Sequence, residues 1–265
     1  MGIPDYTLVV GVDKKHLRQL SQTYQTWVLK KRDFFFCPMV AIYDGSQVDP
    51  YDLRIQIPHE NLITVDWNEL CETTYANGND KWTSGQRHKM LAGFVYGAAY
   101  SVKTPYWLKL DTDVVATGIR DWIDPEWFVD EPAIVSHPWS FTKPPHQMLQ
   151  LDRWVDCNKE VLKDLADKKP LELKPPLGSD RVRHKRIISW CAFFNTEFTK
   201  RCAEYAHLTA GWGKLPVPSQ DGFMWYVAKR LGLPIRTASM KRRGFEHWST
   251  EKNIYNAVTR VLNGQ

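Results

Sequence analysis

The ten residues from Tyr106 to Val115, YWLKLDTDVV, decide how this chain is read. The apolar lead-in over Tyr106–Leu110 predicts a buried strand, and Asp111-Thr112-Asp113 ends it. In an extended chain, side chains two apart point the same way. Asp111 and Asp113 therefore share a face, with Trp107 and Lys109 behind them. Two carboxylates on one side of a strand end repel each other unless a cation lies between them, and hard divalent ions prefer oxygen ligands. The tripeptide alone also reads as a turn with two solvated acids. Context favours a site, because the carboxyl end of a parallel strand is where open α/β sheets bind ligands.

The flanking pattern supports such a sheet. Upstream, strands are predicted at Thr7 to Val12, Cys37 to Tyr43 and Leu62 to Val65. Asp13 can cap a helix with Leu17, Leu20, Tyr24, Trp27 and Val28 on one face. Thr83-Ser84-Gly85-Gln86 can form a capping box for a helix that buries Met90, Leu91, Phe94, Val95, Ala98, Ala99 and Val102. Downstream, Ala133 to Ser136 and Arg186 to Phe194 read as strands, and Met148 to Leu165 and Thr196 to His207 as helices. Ser219 can cap a further helix that Gly232 and Pro234 stop, and a last helix runs from about Ser249 to Leu262. Strands alternating with helices argue for right-handed βαβ units and a mixed, mostly parallel sheet flanked by helices, class α/β. No internal repeat or linker divides the chain, so one domain is expected.

With 265 residues, 43% hydrophobic and 25% charged, the composition excludes a disordered, collagenous or disulfide-scaffold protein. No apolar run approaches the ~20 residues of a membrane helix, so no transmembrane segment is expected. The first residues, MGIPDYTLVVGVDKK, show no basic segment before an apolar stretch, and Tyr6 stands where a myristoylation motif needs Ser or Thr. Cys37, Cys71, Cys157, Cys191 and Cys202 never form CxxC and read as reduced thiols of a cytoplasmic protein. Neither GxGxxG nor GxxxxGK[ST] occurs, which counts against dinucleotide-binding and P-loop sites.

The formal net charge of +5 is carried entirely by residues 168–186, KKPLELKPPLGSDRVRHKR. Prolines and a glycine break that segment, so it reads as a basic loop: either a solvated run or a grip on an anionic ligand. Twelve Trp are an excess. Trp27, Trp154 and Trp225 fall in helical patterns and are expected in the core, whereas Trp139, Trp190 and Trp212 lie in the irregular second half and are candidates for stacking on sugars.

Together these features resemble the GT-A fold glycosyltransferases, a Rossmann-like group whose DxD motif ends a strand and holds Mn2+ or Mg2+ against the diphosphate of a nucleotide sugar. The resemblance runs from about Thr7 to His247. It implies a single catalytic domain over 1–265, with a nucleotide-sugar-binding half at 1–113 and an acceptor-binding half at 114–265 that includes the basic loop. It further implies Asp111, Asp113 and His247 as metal ligands. The donor contacts it implies are Asp44 in Tyr43-Asp44-Gly45-Ser46, Asp66 at the third strand end, Gly85 and Arg87 before the motif, and Thr112 within it. Asp221, in Ser219-Gln220-Asp221-Gly222, matches the acid that often serves inverting members as base, though Gln220 replaces the usual Glu. Trp139, Trp190 and Trp212 are the acceptor-side candidates.

The function so implied is metal-dependent transfer of a sugar from a UDP- or GDP-sugar to an acceptor hydroxyl, with inversion. The acceptor is left open between a glycan, a small molecule and the modified, hydroxymethylated bases of phage-type DNA, the last suggested by the basic loop. The competing readings are a nucleotidyltransferase on a similar sheet and a non-catalytic carbohydrate- or nucleic-acid-binding module, which would not require the two aspartates. Oligomeric state is not specified.

Overall fold

The computed structural model describes residues 2–74, 93–118, 121–141, 184–208 and 220–264. Seven strands form one sheet in the order β3-β2-β1-β4-β7-β6-β8. They are β1 (Tyr6–Val12), β2 (Met39–Tyr43), β3 (Leu62–Asp66), β4 (Tyr106–Leu110), β6 (Ile134–Phe141), β7 (His184–Asn195) and β8 (Ile235–Thr237). Strands β3, β2, β1 and β4 run parallel, β7 runs antiparallel to both β4 and β6, and β8 is parallel to β6. This is the mixed, mostly parallel sheet that the sequence pattern implies.

Both faces of the sheet are covered, which is why its strands read as continuous apolar runs. Leu8, Val10 and Val12 of β1 pack on one side with Leu20, Tyr24 and Trp27 of α1 (Lys14–Lys30) and with Trp122 and Phe245. Val9 and Trp107 pack on the other with Phe94, Val95 and Val102, with Phe198 of α6 (Thr196–Leu208), and with Phe223 to Ala228 of α7 (Gln220–Arg230). Trp27 and Trp225 are core residues, as their helical spacing predicts.

Short elements complete the fold: α2 (Asp33–Phe36), α3 (Pro50–Gln56), α4 (Trp67–Thr74) and α5 (Ala98–Ser101). The last of these follows a π-helical turn over Gly93–Gly97 instead of a continuous α-helix. Asp13 caps α1 through the His16 amide at 2.8 Å, as expected. The last helix, α8 (Glu251–Leu262), starts after Thr250, whose hydroxyl accepts from the Asn253 amide. The expected capping box at Thr83 to Gln86, the helix Met148 to Leu165 with Trp154, the Ser219 cap and most of the basic loop lie outside the described residues.

A second, two-stranded sheet has no counterpart in the sequence reading. It pairs β5 (Val114–Ala116), which leaves the Asp-Thr-Asp turn, with β9 (Phe245–His247), antiparallel. Three-residue strands are too short to show a period in sequence.

Candidate metal centre

Strand β4 ends in the middle of the sheet, and Asp111 comes directly after it. The Asp111 amide donates to the Trp190 carbonyl of β7 at 2.9 Å, and the Val114 amide donates back to the Asp111 carbonyl at 3.1 Å, closing the turn. Helix α1 holds the turn and the strand beyond it. Its Thr23 hydroxyl donates to the Thr112 carbonyl at 2.9 Å, Trp27 Nε1 to the Val114 carbonyl at 2.7 Å, and the Thr26 hydroxyl accepts from the Ala116 amide at 3.1 Å. Buried hydrogen bonds of this kind contribute about 1 kcal/mol each and are costly to leave unmade. They also explain why Thr23 and Thr26 are fully buried polar residues.

Thr112 itself is buried, and its hydroxyl donates to Gln19 Oε1 at 3.1 Å. Thr112, expected among the donor contacts, thus turns its hydroxyl into the protein toward Gln19.

His247 reaches the aspartates through β9. Val114 lies opposite His247 in the ladder, and the Trp248 amide donates to the Asp113 carbonyl at 3.2 Å. Two features dock this arm. Gly244 adopts φ +78°, and a Cβ there would fall 2.4 Å from the Gly118 carbonyl oxygen. Beside it, the fully buried Lys31 donates from Nζ to the carbonyls of Gly118 and Arg243, and lies over the Phe245 ring at 4.5 Å. Burial is the main cause of its pKa falling to about 8, against opposing attraction from Cys191 and Asp33.

The outcome is that one ligand atom each of Asp111, Asp113 and His247 lies within 4.8 Å of the others. Asp113 Oδ1 is buried and finds no hydrogen-bonded partner among the described residues. His247 Nε2, at 3.2 Å, stands at ion-pair distance without an aligned hydrogen bond. That contact with Asp113 is the largest reason the His247 pKa is raised; burial opposes it, and the charges of Asp113 and Asp111 add to it. Lys109, buried in β4, pairs with Asp111 Oδ1 and lies over the Phe94 ring at 5.1 Å. Ligands around one ion of the Mg2+ class sit about 2.1 Å from it, hence up to about 4.2 Å apart. Two carboxylates and one imidazole at this spacing, with one carboxylate oxygen lacking a donor among the described residues, fit a hard divalent ion after small side-chain adjustment.

The carboxyl ends of β2 and β3 place Asp44 and Asp66 along the same sheet edge. Asp44 is buried, and its carboxylate accepts from the Ser46 amide and hydroxyl, from Gln47 Nε2 and from Asn68 Nδ2. Burial pushes its pKa up, but the hydrogen bonds from Ser46 and Asn68 outweigh that and hold it below the ordinary value. Asp44, expected to contact the nucleoside, is held by these hydrogen bonds within the turn after β2. Asp66 is half-buried and accepts from the Gly45 amide at 3.0 Å.

Trp190 is buried and lies parallel to the His247 ring, with centroids 5.7 Å apart and planes at 15°. Trp190, expected as an acceptor-side stacking residue, thus stacks on His247 in the structure. Asp221 falls in the first turn of α7, with its side chain outside the described set, and the Trp139 side chain, Trp212, Gly85 and Arg87 are likewise outside it. Of the nearby basic residues, Arg243 is engaged with Asp124 at 3.1 Å and lies over Trp127, while Lys241 and Arg242 are exposed. The structure adds Lys109 and Lys31 to the residues that shape the site. A lysine inside an apolar strand was the available signal for the first; nothing local marks the second.

No protein-family profile matches the chain, and no curated protein matches it. Solved structures do. Core-mannan synthase A (CmsA/Ktr4) from Aspergillus fumigatus, in its Mn/GDP form, aligns with TM-score 0.55 and 13% identity over 93% of this chain and 75% of that one. The S. cerevisiae mannosyltransferase Ktr4p in complex with GDP aligns with TM-score 0.56 and 13% identity, over 92% and 71%. The galactosyltransferase LgtC, bound to donor and acceptor sugar analogues, aligns with TM-score 0.52 and 11% identity, over 96% of both chains. The chain has the GT-A fold of these glycosyltransferases.

Proposed function

We propose that this protein is a metal-dependent glycosyltransferase that moves a sugar from a nucleoside diphosphate sugar, of the UDP or GDP type, to an acceptor hydroxyl. The observation that carries the reading is the convergence of Asp111, Asp113 and His247 at the carboxyl end of β4. The structural neighbours that bind Mn with GDP, or donor and acceptor analogues, support it.

Asp111, Asp113 and His247 would hold Mn2+ or Mg2+, which as a Lewis acid stabilises the negative charge of a departing diphosphate without proton transfer. Lys109 holds the Asp111 carboxylate by its ion pair. Asp66 and the Gly45 turn shape the edge where a nucleoside would lie. Asp221, at the start of α7, is the base of the inverting course. Acceptors bearing sugar hydroxyls, glycan or small molecule, are preferred over nucleic acid, a reading supported by the acceptor sugar analogue bound to LgtC. Among the described residues, no helix is long and apolar enough to cross a membrane.

The test is a screen of nucleotide sugars for donor hydrolysis and transfer, with Mn2+ and with a chelator, on the wild type and on Asp113→Ala. Metal-dependent turnover that disappears in the variant is expected. Turnover that survives Asp113→Ala overturns the proposal. The anomeric configuration of the product, read by NMR, decides the role given to Asp221.

A further inference from the structure

Trp190 touches both arms of the proposed metal centre. Its carbonyl accepts from the Asp111 amide at 2.9 Å, which fixes its place relative to the aspartate turn. Its indole lies against the His247 ring in an offset parallel stack, 5.7 Å between centroids and 15° between planes. On its other neighbour the indole meets His137, tilted at 42° with centroids 6.5 Å apart. The residue is 5% exposed, so its rotamer is held by packing.

His247, by contrast, sits at the end of a three-residue strand with an exposed side chain. No hydrogen bond among the described residues orients its second ring nitrogen. In metal sites that second nitrogen usually has a partner that fixes the ring plane. Here a flat aromatic face is available for the same purpose. Coordination draws electron density out of the imidazole, and an electron-poor ring is attracted more strongly to the indole face than a neutral one. The stack therefore favours the ligated state as well as the ring plane.

We propose that Trp190 is the positioning residue of the metal centre, setting the plane of His247 so that its Nε2 faces Asp113 and Asp111. This rests on the metal-centre reading above. It replaces the acceptor-stacking role that the sequence suggested for the same residue.

The test is a Mn2+ titration without any substrate, followed by the EPR signal of free Mn2+, on folded variants checked by thermal unfolding. Asp113→Ala and His247→Ala are the references. Trp190→Leu is expected to weaken binding about 10-fold or more, the range for residues that orient a ligand, and Trp190→Phe to stay within about 3-fold of wild type because a flat ring is retained. The expected signature is non-additivity: in the His247→Ala background, Trp190→Leu causes no further loss. Equal loss in both backgrounds, or wild-type affinity in Trp190→Leu, overturns the role of Trp190 while leaving the metal centre standing. A wild-type chain that binds no Mn2+, or an Asp113→Ala variant that binds it normally, overturns the metal centre and this inference with it.

Discussion

Val114 and His247 face each other across an antiparallel ladder of three residue pairs, although 132 residues separate them in the chain. That ladder brings His247 to the Asp-Thr-Asp motif, where the three side chains form a candidate metal site. It puts the imidazole beside Asp113, whose buried Oδ1 has no hydrogen-bond donor among the described residues. Most of what can be tested concerns how the ladder is held and what it holds.

A ligand that binds only the folded state stabilises it by RT ln(1 + [L]/Kd). Millimolar Mn2+ should therefore raise the unfolding temperature of the wild type, and this rise should vanish in Asp113→Asn. Transfer activity should fall at least about 100-fold in the same variant, because charge stabilisation at the leaving group is among the largest catalytic contributions. A full Mn2+ shift in Asp113→Asn would show that the ion binds elsewhere.

Gly244 should tolerate no side chain. Its φ of +78° is unfavourable for other residues, and a Cβ would fall 2.4 Å from the Gly118 carbonyl oxygen. Strain of this sort costs about 1–3 kcal/mol. Gly244→Ala should lower stability by that order in chemical denaturation and weaken Mn2+ binding, since the backbone that shifts leads directly into His247. Unchanged stability with unchanged binding would mean that the arm is not docked as described.

Lys31 makes the docking pH-dependent. Burial lowers its pKa to about 8, against an ordinary value of about 10.5. Between those values the unfolded chain keeps a proton that the folded chain has released, so this group makes stability rise with pH across that window. Cys37 acts in the opposite sense, its thiol pushed up to about 11 mainly by burial. The comparison must therefore be wild type against Lys31→Met, whose stability difference should move in favour of the wild type by about 2 kcal/mol between pH 7 and pH 10. A flat difference curve would place the ammonium in water rather than against the Gly118 and Arg243 carbonyls.

At the carboxyl ends of β2 and β3, Gly45 packs directly on Asp66. A Cβ on Gly45 would fall 1.9 Å from Asp66 Oδ2, so Gly45→Ala must displace the carboxylate or the turn. If this edge carries the nucleoside, the donor KM should rise about 10-fold or more while Mn2+ binding in the absence of donor stays near wild type. Loss of metal binding with no change in KM would place the nucleoside elsewhere.

Much of this was legible in advance. The runs at Thr7 to Val12, Cys37 to Tyr43, Leu62 to Val65 and Tyr106 to Leu110 announced four of the sheet strands, because β1, β2 and β4 are buried within the sheet and mainly apolar, while the edge strand β3 keeps only Leu62 buried. Asp13, capping α1, and the alternation that sets Asp111 and Asp113 on one face were readable for equally local reasons. Gln19, Thr23 and Thr26 were not. They interrupt the apolar stripe of α1, and their purpose, gripping Thr112 and Ala116, exists only once the helix lies across the turn.

Local physics, acting over a few residues, was enough to determine the class of fold and the pair of aspartates at the end of β4. Those properties depend on side-chain period, burial and capping, which a linear sequence displays directly. Tertiary structure alone decided which way each polar side chain is spent. Asp44 and Thr112 are consumed by the scaffold, Trp190 is buried against an imidazole, and His247 is brought to Asp113. The physical reason is that hydrogen-bond and stacking partners across long sequence separations leave no periodic trace. They are fixed only when the buried Lys31 and the left-handed Gly244 set the β9 arm against β5.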